Sequence, residues 1–133
     1  MEEKVKQTAA EQYFSLVIRN PIVHYKKLRS LLELLKKKKL VLFEITSHPL
    51  FKKEVDAILP YLSSEDSTYS ELNLTINGTK SVEAVLRAIQ DKSSLTKVKI
   101  VTQKKISKDA EDLVEEIHRT NYACGISLKS TVE

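Results

Sequence analysis

A chain of 133 residues that is 41% hydrophobic and 30% charged has the length of one domain and the composition of an ordinary globular protein, and no apolar run approaches the ~18 residues that a membrane span needs. A formal net charge of +4 and a pI near 9.1, both owed chiefly to lysine, invite a comparison with nucleic-acid-binding proteins. Cys124 stands alone, which excludes an intramolecular disulfide and a cysteine-based zinc site; with Met1-Glu2-Glu3-Lys4 leading into polar residues rather than a secretory signal, the expected compartment is intracellular, cytoplasmic first and nuclear second.

Residues 2–12 favour helix by propensity but offer only Val5, Ala9 and Ala10 as an apolar face, so 1–12 is expected to be an N-terminal lead-in or cap and 13–133 the domain proper. A first strand over 14–19 ends at Asn20-Pro21, where asparagine caps and proline suits the first helical position, and a helix over 21–37 follows. The second strand, 40–46, gives way at Ser47 and Pro49 to a helix that reaches Leu62, with Pro60 in its last turn. After a polar loop, the third strand occupies 69–77, and Asn77-Gly78 turns the chain into a short helix over 81–90. A fourth strand over 97–102 precedes a helix over 108–120, capped by Ser107, with Asp109 and Glu111 at the positive end of its dipole and Asn121 at its close. The fifth strand is 125–129.

These elements repeat a single figure. Apolar residues at Tyr69, Leu72 and Leu74, followed by Asn77, share their offsets with Tyr13, Leu16, Ile18 and Pro21; Leu40, Phe43, Ile45 and His48; Leu95, Val98, Ile100 and Gln103; and Ala123, Ile126, Leu128 and Thr131. First members fall 27, 29, 26 and 28 residues apart by number, the mark of a repeat array. Between them runs a helical figure: Leu28, Leu31, Leu32, Leu35; Val55, Ile58, Leu59, Leu62; Val82, Val85, Leu86, Ile89; and Ala110, Leu113, Val114, Ile117. Strands alternating with helices suit either a doubly wound sheet or a solenoid. Strand patterning favours the solenoid. A parallel strand covered on both faces is apolar throughout, whereas Leu72, Leu74 and Ile76 alternate with Glu71, Asn73 and Thr75, and Val98 and Ile100 alternate with Lys97 and Lys99.

The figure LxxLxLxxN, with a helix in each unit of about 28 residues, resembles the leucine-rich repeat family, specifically its ribonuclease-inhibitor-like class, over residues 13–131. That resemblance implies an α/β solenoid of about five βα units, parallel strands on the concave face and helices on the convex face, with the Asn side chain bonding backbone in the turn after each strand. Only Asn77 keeps the asparagine; Gln103 and Thr131 are partial substitutes, and His48 and Pro21 depart from it. A second resemblance, through Val55 to Leu74, is to the repeat-like region after the F-box in nematode substrate adaptors, although no F-box is recognisable; it implies an adaptor role in a ubiquitin ligase.

Catalytic chemistry finds little footing. His24, His48 and His118 take different offsets with no second metal ligand at the right spacing, and Glu115 with Glu116, or Glu65 with Asp66, are adjacent rather than facing. Cys124 has no neighbouring base and is expected to be a buried filler; Phe14, Phe43 and Phe51 are expected in the core. No enzyme, cofactor, metal site or catalytic residue is therefore expected. The expected function is a protein-binding scaffold whose concave strand face meets its partner through Arg19, Glu44, Asn73, Thr75, Lys97, Lys99 and Lys129, within a longer repeat protein or a substrate adaptor. The alternative is electrostatic binding of nucleic acid or an acidic surface through Lys36 to Lys39 and through Lys97, Lys99, Lys104, Lys105 and Lys129. The fifth strand, at the edge of the sheet, is also a candidate for pairing with another molecule.

Overall fold

Backbone hydrogen bonds gather the described residues into one six-stranded sheet whose strand order is the chain order. The computed structural model describes residues 2–8, 13–19, 30, 32–33, 39–121 and 123–131, with 2–8, 13–19, 39, 47 and 48 described by backbone alone. β1 (Glu2–Thr8) and β2 (Tyr13–Arg19) pair antiparallel; β3 (Lys39–Leu50), β4 (Glu71–Ile76), β5 (Lys97–Thr102) and β6 (Gly125–Ser130) are added in parallel, each beside its predecessor. The crossovers from β3 onward are α1 (Lys52–Ser63), α2 (Thr79–Ile89) and α3 (Lys108–Thr120), and α2 packs against both α1 and α3. This is an α/β protein with a mostly parallel sheet.

Two expectations at the N-terminal end are corrected or left aside. Within the lead-in expected over residues 2–12, residues 2–8 are instead β1, because an unbroken register from Glu2↔Arg19 to Thr8↔Tyr13 outweighs a weak intrinsic helix preference, and 9–12 lie outside the described residues. The predicted helix over 21–37 lies outside the described residues except for Ser30, Leu32 and Glu33, which are helical, Leu32 being buried.

The passage from β3 into α1 also differs from expectation. Ser47 and Pro49 do not open a helix; strand character persists to Leu50, and the register jumps from Ile45↔Leu74 to Leu50↔Ile76. Five residues of β3 thus span what two residues of β4 span, and Pro49, which has no amide to give to a ladder, falls in this excursion. Leu50 is fully buried at its end. Phe51 then becomes the N-cap of α1; its side chain has no oxygen to offer, and the Glu54 carboxylate instead accepts from the Phe51 N–H at 3.1 Å. That position leaves Phe51 44% exposed, so it is not a core residue as expected, whereas Phe43 is fully buried.

Downstream, local signals act as the sequence implies. Gly78 caps α2, which starts at Thr79, two residues before the predicted 81. Ser107 Oγ accepts from the Ala110 N–H at 3.1 Å and also donates to Glu83 Oε2 at 2.9 Å, so one hydroxyl caps α3 and ties it to α2. Asn121 closes α3, and its Nδ2 donates to the carbonyls of Lys92 and Leu95.

The core lies between sheet and helices. Leu72, Leu74 and Ile76 of β4 and Val98 and Ile100 of β5 are buried, while the residues between them are partly or fully exposed, so each strand turns one side to the helices and the other to solvent. Val82, Val85, Leu86 and Ile89 of α2 are all buried against them. Beneath β3 and α1, Phe43, Tyr61 and Tyr69 form an aromatic trio with ring centroids 5.4, 5.8 and 6.3 Å apart. Tyr69 donates from its hydroxyl to Leu62 O at 2.6 Å, and burial pushes the Tyr61 and Tyr69 phenols up from their ordinary value. In the last unit the figure slips by one residue: Ala123 is exposed and Cys124 is buried instead. Among the described residues, no helix is long and apolar enough to cross a membrane.

Candidate functional site

The solvent-facing side of β3 to β6 is built by parallel register. One row reads Leu42↔Glu71↔Lys97↔Gly125, the next Glu44↔Asn73↔Lys99↔Ser127, and the third Thr75↔Val101↔Lys129. Strands in such a ladder lie about 5 Å apart, so residues distant in sequence become neighbours. Of the predicted partner-binding residues, Glu44, Asn73, Thr75, Lys97, Lys99 and Lys129 share this surface; Arg19 ends β2, and its side chain is outside the described residues.

The surface has two electrostatic halves. On β3 and β4, Glu44 and Glu71 are half-buried, and Asn73 Nδ2 donates to Glu44 Oε1 at 2.7 Å, fixing that carboxylate across the ladder. On β5 and β6, Lys97, Lys99 and Lys129 are exposed. No ion pair forms at any of the three among the described residues, whereas Lys52–Asp56, Lys80–Glu83, Arg87–Glu83 and Lys108–Asp112 pair on the helices. Lys104 and Lys105, in the turn after β5, are exposed as well, whereas Lys36 to Lys38 lie outside the described residues and Lys39 is described by backbone alone.

Each strand edge is held by a network the hydrophobic figure does not reveal. Ser70 Oγ donates to Val41 O, Ser94 Oγ to Tyr69 O, Thr96 Oγ1 to Ser70 O and Thr131 Oγ1 to Thr102 O, each reaching back 25 to 29 residues, one repeat length. Asn77 Nδ2 donates to Gln103 Oε1 at 2.8 Å, linking two turns that the sequence places at equivalent offsets. Small hydroxyl residues flanking the apolar figure at Ser70 and Thr96 were the available signal for this network.

A concavity of about 520 Å³ opens between the loops that precede β4 and β5 and is lined by Glu65, Ser67, Arg87, Asp91 and Lys92 among others. Its lysine is committed to structure. Lys92 Nζ donates to the carbonyls of Ser64 and Ser67, at 2.5 and 2.8 Å, and sits 5.3 Å from the centre of the Tyr69 ring; partial burial lowers its pKa while Glu65 opposes the shift. Lys92 therefore clips the loop instead of offering a free ammonium to a ligand.

The remaining candidates for chemistry do not converge. Among the described residues, no group of three or more His, Cys, Asp or Glu side chains is placed to hold a metal ion. His118, Glu115 and Glu116 are exposed on α3, and Glu65 and Asp66 are exposed in a loop. Cys124 is 2% exposed, and burial pushes its thiol above the ordinary value, which leaves little thiolate for nucleophilic attack. No protein-family model matches the chain, and no curated protein matches its sequence.

Proposed function

We propose that this chain is a non-catalytic protein-binding scaffold: a leucine-rich-repeat-like solenoid of about five βα units, with the strands on the concave side, the helices on the convex side, and a protein partner seated on the strands. The observation that carries the reading is the alternation of burial along β4 and β5, which keeps Asn73, Thr75, Lys97 and Lys99 at the solvent side of four consecutive parallel strands. A surface of that kind supplies many modest contacts over an extended area. An intracellular setting belongs to the same reading, since the lone Cys124 needs no oxidising compartment.

The test is affinity capture with mass spectrometry from the native source, comparing the wild-type chain with Thr75→Arg, which projects a bulky cation from the middle of the strand face. Partners lost with that variant, while circular dichroism and melting are unchanged, support the scaffold. Partners retained in full overturn it. Electrostatic binding to nucleic acid remains the second reading, favoured by the exposed Lys97, Lys99, Lys104, Lys105 and Lys129. It requires binding that weakens steeply with ionic strength, and no binding at low salt removes it.

A further inference from the structure

Three ammonium groups that form no ion pair among the described residues occupy one corner of the strand face. Lys97 and Lys99 are two residues apart on β5 and so project from the same side, about 7 Å apart along the strand. Lys129 lies diagonal to Lys99, across from Val101, at about 8 Å. Glu71 faces Lys97 in the ladder, yet no ion pair joins them, and the Glu44 carboxylate is already taken by Asn73. Like charges held this close repel one another in the free chain, and a ligand that brings negative charge relieves that repulsion.

We infer that Lys97, Lys99 and Lys129 form the anchor for an acidic segment of the protein partner, an extended stretch of Asp or Glu side chains lying over β5 and β6. This deepens the scaffold reading above and rests on it. Two features favour a carboxylate segment of protein over a nucleic acid. The cationic area spans only two strands and is bounded on the β4 side by Glu71 and on β3 by Glu44, which would repel a phosphate backbone running further along the face. The described strand face from β3 to β6 also presents no aromatic ring on which a base could stack: beside the lysines it holds Leu42, Glu44, Thr46, Glu71, Asn73, Thr75, Val101, Gly125 and Ser127. A short acidic segment that keeps to β5 and β6 stays clear of both glutamates and needs no stacking platform.

The experiment is an amide NMR titration of the full chain with a hexaglutamate peptide, and in parallel with a hexathymidylate oligonucleotide. Expected are shifts concentrated at Lys97, Lys99, Ser127 and Lys129, and a loss of about tenfold or more in hexaglutamate affinity for Lys99→Glu/Lys129→Glu. A control of equal charge change on the helices, Lys52→Glu/Lys108→Glu, is expected to leave the affinity within about twofold. Retained spectral dispersion shows that each variant is folded. Shifts spread equally over Lys52 and Lys108, or tighter binding of the oligonucleotide at the same four residues, would overturn the inference. Captured partners lost with Thr75→Arg but kept with Lys99→Glu/Lys129→Glu overturn the acidic anchor alone and leave the scaffold standing; partners kept with both overturn the scaffold as well.

Discussion

The unit formed by β4 and α2 and the terminal pair formed by α3 and β6 carry the same apolar figure but enclose it to different degrees. In the interior unit, Leu72, Leu74, Ile76, Val82, Val85, Leu86 and Ile89 are all buried, because β3 and α1 lie on one side and β5 and α3 on the other. In the terminal pair, Leu113 and Val114 of α3 and Ile126 and Leu128 of β6 are only partly buried, although Ile126 and Leu128 stand directly opposite Val98 and Ile100 in register. Similar patterning therefore yields different burial according to what packs beside it among the described residues. Under the solenoid reading proposed above, stability would be owed to the interfaces between units as much as to the units themselves.

The largest expected effect follows directly. Ile100→Ala empties a fully buried site between two strands and should destabilise the fold by about 2–5 kcal/mol, whereas Leu128→Ala, at a partly exposed site in the adjacent strand, should cost about 1 kcal/mol. Urea denaturation of both variants measures the difference. Equal losses would show that the β6 edge is covered in solution, as strand pairing with a second molecule would achieve.

The same contrast explains what was legible beforehand. A fixed spacing and a two-residue alternation located β4, β5, α2 and α3 because each of those elements has neighbours that reward the pattern. Where context or an inserted stretch decides, the sequence was a poorer guide. The helical propensity of residues 2–8 lost to pairing with β2, and the cap-like Ser47 and Pro49 turned out to lie in the excursion that carries Leu50 into the core. A hint of that excursion existed: the unit beginning at Leu40 is 29 residues long and the next is 26, and the three-residue difference equals the excess of β3 over β4 in their register. The lysines of the strand face were legible as an outward row, but the Glu44–Asn73 bond that divides the face into two halves depends on side-chain geometry and was not.

A smaller effect probes how neighbouring helices are joined. Ser107→Ala removes the cap of α3 and should cost about 1 kcal/mol. It also removes a hydrogen bond to Glu83, a carboxylate only 2% exposed, leaving it the more distant Lys80 and Arg87 at 3.8 Å. The two losses are coupled through one hydroxyl, so a thermodynamic cycle with Glu83→Gln should be non-additive. Additivity would mean that the capping bond and the bond between helices act independently.

The smallest effect on stability, and the finest probe of the terminal strand, is at Cys124. Its thiol is buried immediately before β6, with its N–H donating to Asn121 O, so a disulfide reagent can reach it only when this end of the sheet opens. Modification of the native chain should be slower than that of the unfolded chain, and Leu128→Ala should accelerate it without denaturant by loosening β6. The pH dependence has a definite sign. Burial raises the folded thiol's pKa, so as pH climbs past the ordinary thiol value of about 8.5 the unfolded chain ionises first and is favoured. The stability of the wild type relative to Cys124→Ala is therefore fully present below that value and declines above it until the folded thiol also ionises. A relative stability that stays level across that range would mean that the thiol at the start of β6 already meets water in the native state, and that the terminal unit is open rather than merely less enclosed.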